Sequence, residues 1–185
     1  TQANSVRIAA GVRQELDVAF YLNRAFKEHP HVYVFNDLKL RHKGEVAQID
    51  HLVVYAYGFI IIESKSITGE VSVNEHSEWS RSYNGSWQGM KSPIKQVDMQ
   101  LSLLRDKLAY HSENLLDKLF GMLQKGFSGR QWDGICAISS NAIISRESMP
   151  LAIQNRVSKS EFVTDRILSL MDLPEKFHSS GLAYR

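Results

Sequence analysis

At 185 residues, with 43% hydrophobic and 23% charged residues, the chain has the make-up of one ordinary globular domain and is short for two. A net charge of +2 excludes a global basic field, so any nucleic-acid binding must come from a local patch. The single cysteine, Cys136, excludes an intramolecular disulfide and a cysteine-rich zinc site, and no run approaches the roughly 18–20 apolar residues of a membrane span.

Residues Ser5 to Phe26 read as a helix capped by Asn4 or Ser5, with Ile8, Gly11, Ala19 and Leu22 on its inward stripe. Glu15 falls on the same stripe, either as a salt-bridged or snorkelling carboxylate at its margin or as one aimed at a functional site. Arg13, Asp17 and Arg24 fall on other faces, where solvated charges belong. After Pro30 a strand is expected from His31 to Phe35, with Asp37 to Leu40 as its continuation, then a basic connection Arg41-His42-Lys43-Gly44. Two apolar runs, Leu52–Tyr55 and Phe59–Ile62, flank Ala56-Tyr57-Gly58 and predict a β-hairpin.

Gly69 marks a turn, after which alternation at Val71 and Val73 predicts a third strand of this meander. Asn84-Gly85 is a strong hairpin signal between Trp79–Tyr83 and Ser86–Gln88. Arg81, Trp87 and Lys91 interleave with Trp79 and Tyr83. Such a ribbon stacks on bases and grips phosphates, or its aromatics simply pair across the strands, which is the favoured reading. Ser92-Pro93 opens a helix whose buried stripe is Ile94, Val97, Leu101, Leu104 and Leu108, with Gln96 one position off it. A second helix is expected from about Ser112 to Gln124, and a buried strand from Trp132 to Ser139. Cys136 lies within that strand as a packing thiol, which fits a reducing, cytoplasmic setting. Ser158-Lys-Ser-Glu161 reads as a capping box opening a helix to about Met171, closed by Pro174. No secretory signal opens the chain, and its first residue is Thr, as expected of an excised or processed domain.

The hairpin carries charge where buried strands do not. Positions 50 and 63 have their midpoint at its tip, so Asp50 and Glu63 should lie opposite or nearly so, with Cβ atoms about 5 Å apart. The strand period of two puts Lys65 on the face of Glu63, and Gln48 on the face of Asp50. His51 points to the other face and is not counted as a ligand. Facing carboxylates repel: either these are ordinary charges at strand ends that pair with one another, or a divalent cation between the two acids removes the repulsion, and one or two carboxylates completed by water suit Mg²⁺.

An acid on one strand followed by Glu-x-Lys on the next resembles the core of the PD-(D/E)XK nucleases. The fuller string GEVAQIDHLVV…GFIIIESK…G resembles the nuclease-related domain, or NERD. Gly11, Glu15, Val18 and Leu22 match that family's Gly-x-x-x-Glu-x-x-Val-x-x-x-Leu helix start, and Pro93 and Gln96 match its Pro-x-x-Gln motif. The likeness runs from about Gly11 to Leu108, with one departure at Gln14-Glu15, where the family often has a second Gly-Glu pairing. It implies an α/β fold with a restriction-endonuclease-like core, a mixed β-sheet flanked by helices. One domain is expected, with a core over about 5–140 and a C-terminal helical extension over about 155–175.

The implied activity is a Mg²⁺- or Mn²⁺-dependent nuclease hydrolysing phosphodiester bonds, with DNA as the expected substrate. Asp50 and Glu63 would hold the cation, joined by the Ser64 carbonyl, while Glu15 would complete the site or hold a second ion. Lys65 would orient the nucleophile and stabilise transition-state charge, and Gln48 and Gln96 would position side chains or substrate. Arg41, Lys43, Arg81, Trp87 and Lys91 are the expected nucleic-acid contacts. The rival expectation is a non-catalytic nucleic-acid-binding or assembly module on the same fold. Family members are often fused to helicase, kinase or zinc-ribbon modules; none is visible in this sequence, and it leaves the oligomeric state open.

Overall fold

The structure, a computed structural model, describes residues 2–116 and 129–171. Its elements in chain order are α1 (Gln2–Phe26), β1 (Val32–His42), β2 (Glu45–Tyr55), β3 (Gly58–Lys65), β4 (Glu70–Val73), β5 (Trp79–Tyr83), β6 (Ser86–Met90), α2 (Pro93–Leu116), β7 (Gln131–Ile138), β8 (Ile143–Ser145), α3 (Leu151–Gln154), β9 (Val157–Lys159) and α4 (Val163–Met171). The main sheet has the order β1-β2-β3-β7-β9. Its first three strands are antiparallel, and β7 and β9 join parallel. The fold is therefore α/β with a mixed central sheet flanked by helices.

The central strand β3 is apolar on both faces because both faces are covered. On one side Ile60 and Ile62 pack with Val18, Leu22 and Phe26 of α1 and with Val163 and Ile167 of α4. On the other, Ile61 packs with Val97, Leu103 and Leu104 of α2. Gly58 opens β3 where a Cβ would strike the backbone carbonyl of Gln131, so the glycine allows β7 to approach closely.

The expected third strand of the meander does not join β3. Glu70–Val73 belongs to a second sheet of order β6-β5-β4-β8, and the neighbour of β3 is β7, which sets Cys136 beside Glu63. Local alternation marks a strand but not its partner, which here comes from far along the chain. The Asn84-Gly85 turn forms as expected, with φ of 50° and 78° at its two residues.

Helix α1 begins before the expected cap and runs through Asn4 and Ser5. Its buried stripe is Gln14, Val18, Leu22 and Phe26, so Ile8 is 60% exposed rather than inward. The Ser92 hydroxyl does cap α2, accepting the Lys95 N–H at 3.2 Å. That helix continues unbroken to Leu116, so the separate helix expected from Ser112 merges with it; residues 117–124 of that expectation lie outside the described residues. The capping box does not form: Ser158 is in β9 and its hydroxyl donates to the Lys159 carbonyl, while a short 3₁₀ turn, Ser160–Phe162, leads into α4. Pro174 also lies outside the described residues. Beyond residue 155 the chain adds β9 to the main sheet and α4 to its core, as well as a helix.

Candidate active site

The hairpin ribbon breaks in one place. The β1–β2 ladder pairs Asn36 with His51 and Leu38 with Ile49, but Asp37 and Asp50 between them drop out, and Asp37 has a φ of 52°. Side-chain alternation changes phase across the break. On the hairpin side Val34 and Val53 pack toward α1; beyond it Leu40 and Ile49, of the same parity, pack toward α2. The β2–β3 ladder ends at the same level, with His51 opposite Ile62, so the two strands fork and leave Asp50, Glu63 and Lys65 at the crotch.

Each side chain there is held. Asp50 Oδ2 accepts the backbone N–H of Ser64 at 2.8 Å, taking the place of a ladder bond. Glu63, only 2% exposed, accepts from Lys65 Nζ on Oε1 at 2.6 Å and from Gln100 Nε2 on Oε2 at 2.8 Å. Lys65 also donates to Gln96 Oε1 at 3.1 Å, so the first turn of α2 reaches the ammonium group. Burial first, and Glu63 second, push the Asp50 carboxyl up to about 7; the Ser64 N–H and Lys65 pull the other way. Glu15, on α1, lies within electrostatic reach of the fork. Its carboxyl is raised by partial burial and then by the fields of Asp37 and Glu63, opposed by Lys65.

Asp50, Glu63, Lys65 and Gln96 are thus brought together, while Glu15 is near enough for the charges of the fork to act on it. Gln48 is not among them: its amide is exposed and donates to Asp37 Oδ1 at 2.8 Å, because the break at Asp37 and Asp50 turns the outer arm of the ribbon. Only its backbone carbonyl faces the site, accepting from Gln100 Nε2. Arg41 and Lys43 lie on that outer arm, with the Arg41 carbonyl bonded by Lys107 and the Lys43 ammonium 6.0 Å from the Tyr110 ring centroid. Arg81 and Trp87 are on the β5–β6 hairpin, and Lys91 is exposed between β6 and α2.

Two residues were missed. Gln100, 3% exposed, bridges Glu63 and β2 from the middle of the α2 stripe; its signal is its place four residues after Gln96, one turn along the same helix. Asp37 lies in the β1 register position opposite Asp50, and its signal is an acid interrupting a strand pattern. On the reverse face His51 is buried between Asn36 Oδ1 (2.7 Å) and Ser64 Oγ (3.1 Å), and burial lowers its pKa to about 4.

Among the described residues no three His, Cys, Asp or Glu side chains form a group able to hold a metal ion. The oxygen donors at the fork are the carboxylates of Asp50 and Glu63 and the adjacent backbone, with Glu15 farther off on α1. That set fits Mg²⁺, which keeps several waters and takes one or two carboxylates plus substrate phosphate.

The sequence model of the family described as the nuclease-related domain matches residues 10–124. No curated protein and no solved structure matches the chain. Among the described residues no helix is long and apolar enough to cross a membrane.

Proposed function

The chain belongs to the nuclease-related domain family, and from that premise we propose that it is a Mg²⁺- or Mn²⁺-dependent nuclease acting on DNA. Membership carries a nuclease-related function, with nucleic acid as substrate or partner and chemistry that generally uses divalent metals. The observation that carries the finer reading is the clamped Glu63, its two oxygens held by Lys65 and Gln100 beside an Asp50 whose carboxyl is raised by burial and by Glu63 itself.

In this reading Asp50 and Glu63 hold the cation, with the Ser64 carbonyl as a further donor and Glu15 closing the site from α1. A bound Mg²⁺ or Mn²⁺ supplies Lewis acidity toward a phosphate oxygen and acidifies the attacking water. Lys65, already fixed by Glu63 and Gln96, directs its remaining N–H toward the nucleophile or the phosphate, where it stabilises charge that develops in the transition state. Gln100 prevents Glu63 from rotating away, which keeps the donor geometry set before substrate arrives. Gln48 acts on Asp37 rather than on substrate.

The test is cleavage of labelled DNA and RNA with Mg²⁺, Mn²⁺ or EDTA. Metal-dependent cutting of DNA, reduced about 10²–10³-fold by Lys65→Ala, is the expected result. Undiminished cutting by Lys65→Ala and Asp50→Asn, or cutting in EDTA, overturns the assignment.

A further inference from the structure

Besides its buried stripe, α1 carries a second row of apolar side chains, on a face about a third of a turn round from the first. Ile8, Val12, Leu16 and Phe20 are 60%, 49%, 66% and 57% exposed. At 100° per residue they form one continuous row spaced by four, distinct from the buried stripe of Gln14, Val18, Leu22 and Phe26. An amphipathic helix on a sheet needs one apolar face, and α1 has two. Large apolar side chains exposed side by side on one face, rather than scattered singly, mark a candidate interaction site.

We propose that this face binds a second copy of the same chain, α1 against α1, antiparallel about a twofold axis. The row is centred on residue 14, so a twofold axis there sets Ile8 against the partner's Phe20 and Val12 against the partner's Leu16. Large side chains then meet large ones along the whole row. Rows spaced by four are the ridges that interdigitate in the commonest class of helix crossing.

Charge points to the same occupant. Arg13 and Asp17 lie on one flank of the row, and among the described residues neither forms an ion pair within its own chain. In an isologous antiparallel pair that flank meets its own copy, so Arg13 of each chain faces Asp17 of the other, twice per dimer. A foreign partner would have no reason to repeat this arrangement. The opposite flank carries Glu15, so the dimer leaves both forks open. The inference does not depend on the nuclease assignment.

Sedimentation equilibrium on the purified chain, up to hundreds of micromolar, tests it. A concentration-dependent monomer–dimer equilibrium is expected, with Leu16→Glu and Phe20→Ser each weakening it about tenfold or more. Arg13→Glu and Asp17→Arg should each weaken it, and the doubly swapped protein should return to within about threefold of the parent. Arg13, Leu16 and Phe20 are exposed and Asp17 half-buried, and circular dichroism checks that each variant is folded. A parent that stays monomeric, alone or in a complex with another protein, overturns the proposal. So does a dimer indifferent to Leu16→Glu, or a swapped protein no better than the single variants.

Discussion

Asp50 and His51 are neighbours on one strand, and their surroundings are opposites. His51 faces the α1 side, where both ring nitrogens have partners within 3.1 Å in Asn36 and Ser64, and burial holds it neutral. Asp50 faces the fork, where one backbone N–H is its only hydrogen-bond donor among the described residues, and burial together with Glu63 works against its charge. The two groups share Ser64, His51 through its hydroxyl and Asp50 through its backbone N–H. A polar group buried for stability is satisfied, as His51 is. One left short of partners beside a like charge, as Asp50 is, marks a candidate functional position.

Mutation should therefore give effects of opposite sign one residue apart. His51→Ala leaves Asn36 and Ser64 without their partner and opens a void, and should lower stability by about 3 kcal/mol, read by urea unfolding at pH 7.5. Asp50→Asn keeps the acceptor for the Ser64 N–H while removing a repelled charge. In EDTA it should be more stable than the parent by on the order of 1–2 kcal/mol, after allowing for solvent screening, and should not cut nucleic acid. If both substitutions destabilise alike, the contrast between the faces is not one of satisfaction against poise.

The pH dependence sharpens the same contrast. The raised Asp50 carboxyl keeps its proton in the folded chain up to about 7 but loses it near 3.8 once unfolded. Between those values the folded state binds more protons, so this group makes stability fall as pH rises from about 4 to 7. His51, lowered from 6.5 to about 4, does the reverse: the unfolded state binds more protons, and stability rises with pH across nearly the same window. In the parent the two slopes largely cancel. In EDTA, Asp50→Asn should show stability climbing from pH 4 to 6.5, whereas His51→Ala should show it falling from pH 4 to 7. Thermal unfolding in steps across that range reads both slopes, each amounting to about 1 kcal/mol or more. Variants whose profiles parallel the parent's would mean that neither group titrates as its surroundings dictate.

The geometry of the candidate site was legible where it depends on the hairpin. Counting inward from Asp50 and Glu63 finds the Tyr55–Gly58 turn, and the observed pairing of His51 with Ile62 has the register that counting gives. The period of two also assigned His51 correctly to the reverse face. It failed at Gln48 because a strand pattern carries no mark for the break at Asp37, where a non-glycine residue takes positive φ. In α1 Leu22 is buried as expected, but Gln14 and Val18 fill the stripe where Gly11 and Ala19 were expected, and Ile8 faces out. Two apolar faces on one helix fit two registers, and burying Gln14 depends on Ser160, 146 residues away, which accepts its amide at 2.8 Å. Gln100 was missed for a related reason: a polar residue in an apolar stripe shows its purpose only when Glu63 is known to lie beneath it. Likewise β4 carries its own alternation, but its move to a second sheet is set by the arrival of β7 at β3.

The smallest expected effect concerns the β5–β6 hairpin, where sequence favoured a purely structural role for the aromatics. The structure divides them. Trp79 is 3% exposed and belongs to a core with Val71, Val73 and Ile138. Trp87 is 51% exposed, and the residue directly across the ladder from it is Ser82, so no aromatic faces it there. A half-exposed indole with a serine opposite adds little to hairpin stability, while its open face suits a base, with Lys91 following close behind in sequence. Trp87→Ala should weaken binding of a fluorescent single-stranded oligonucleotide by about fivefold, near 1 kcal/mol, and leave thermal stability within about 0.5 kcal/mol. Trp79→Ala should unfold the hairpin's packing instead. Should Trp87→Ala lose stability and keep its affinity, the hairpin is structural throughout and the substrate path lies elsewhere around the fork.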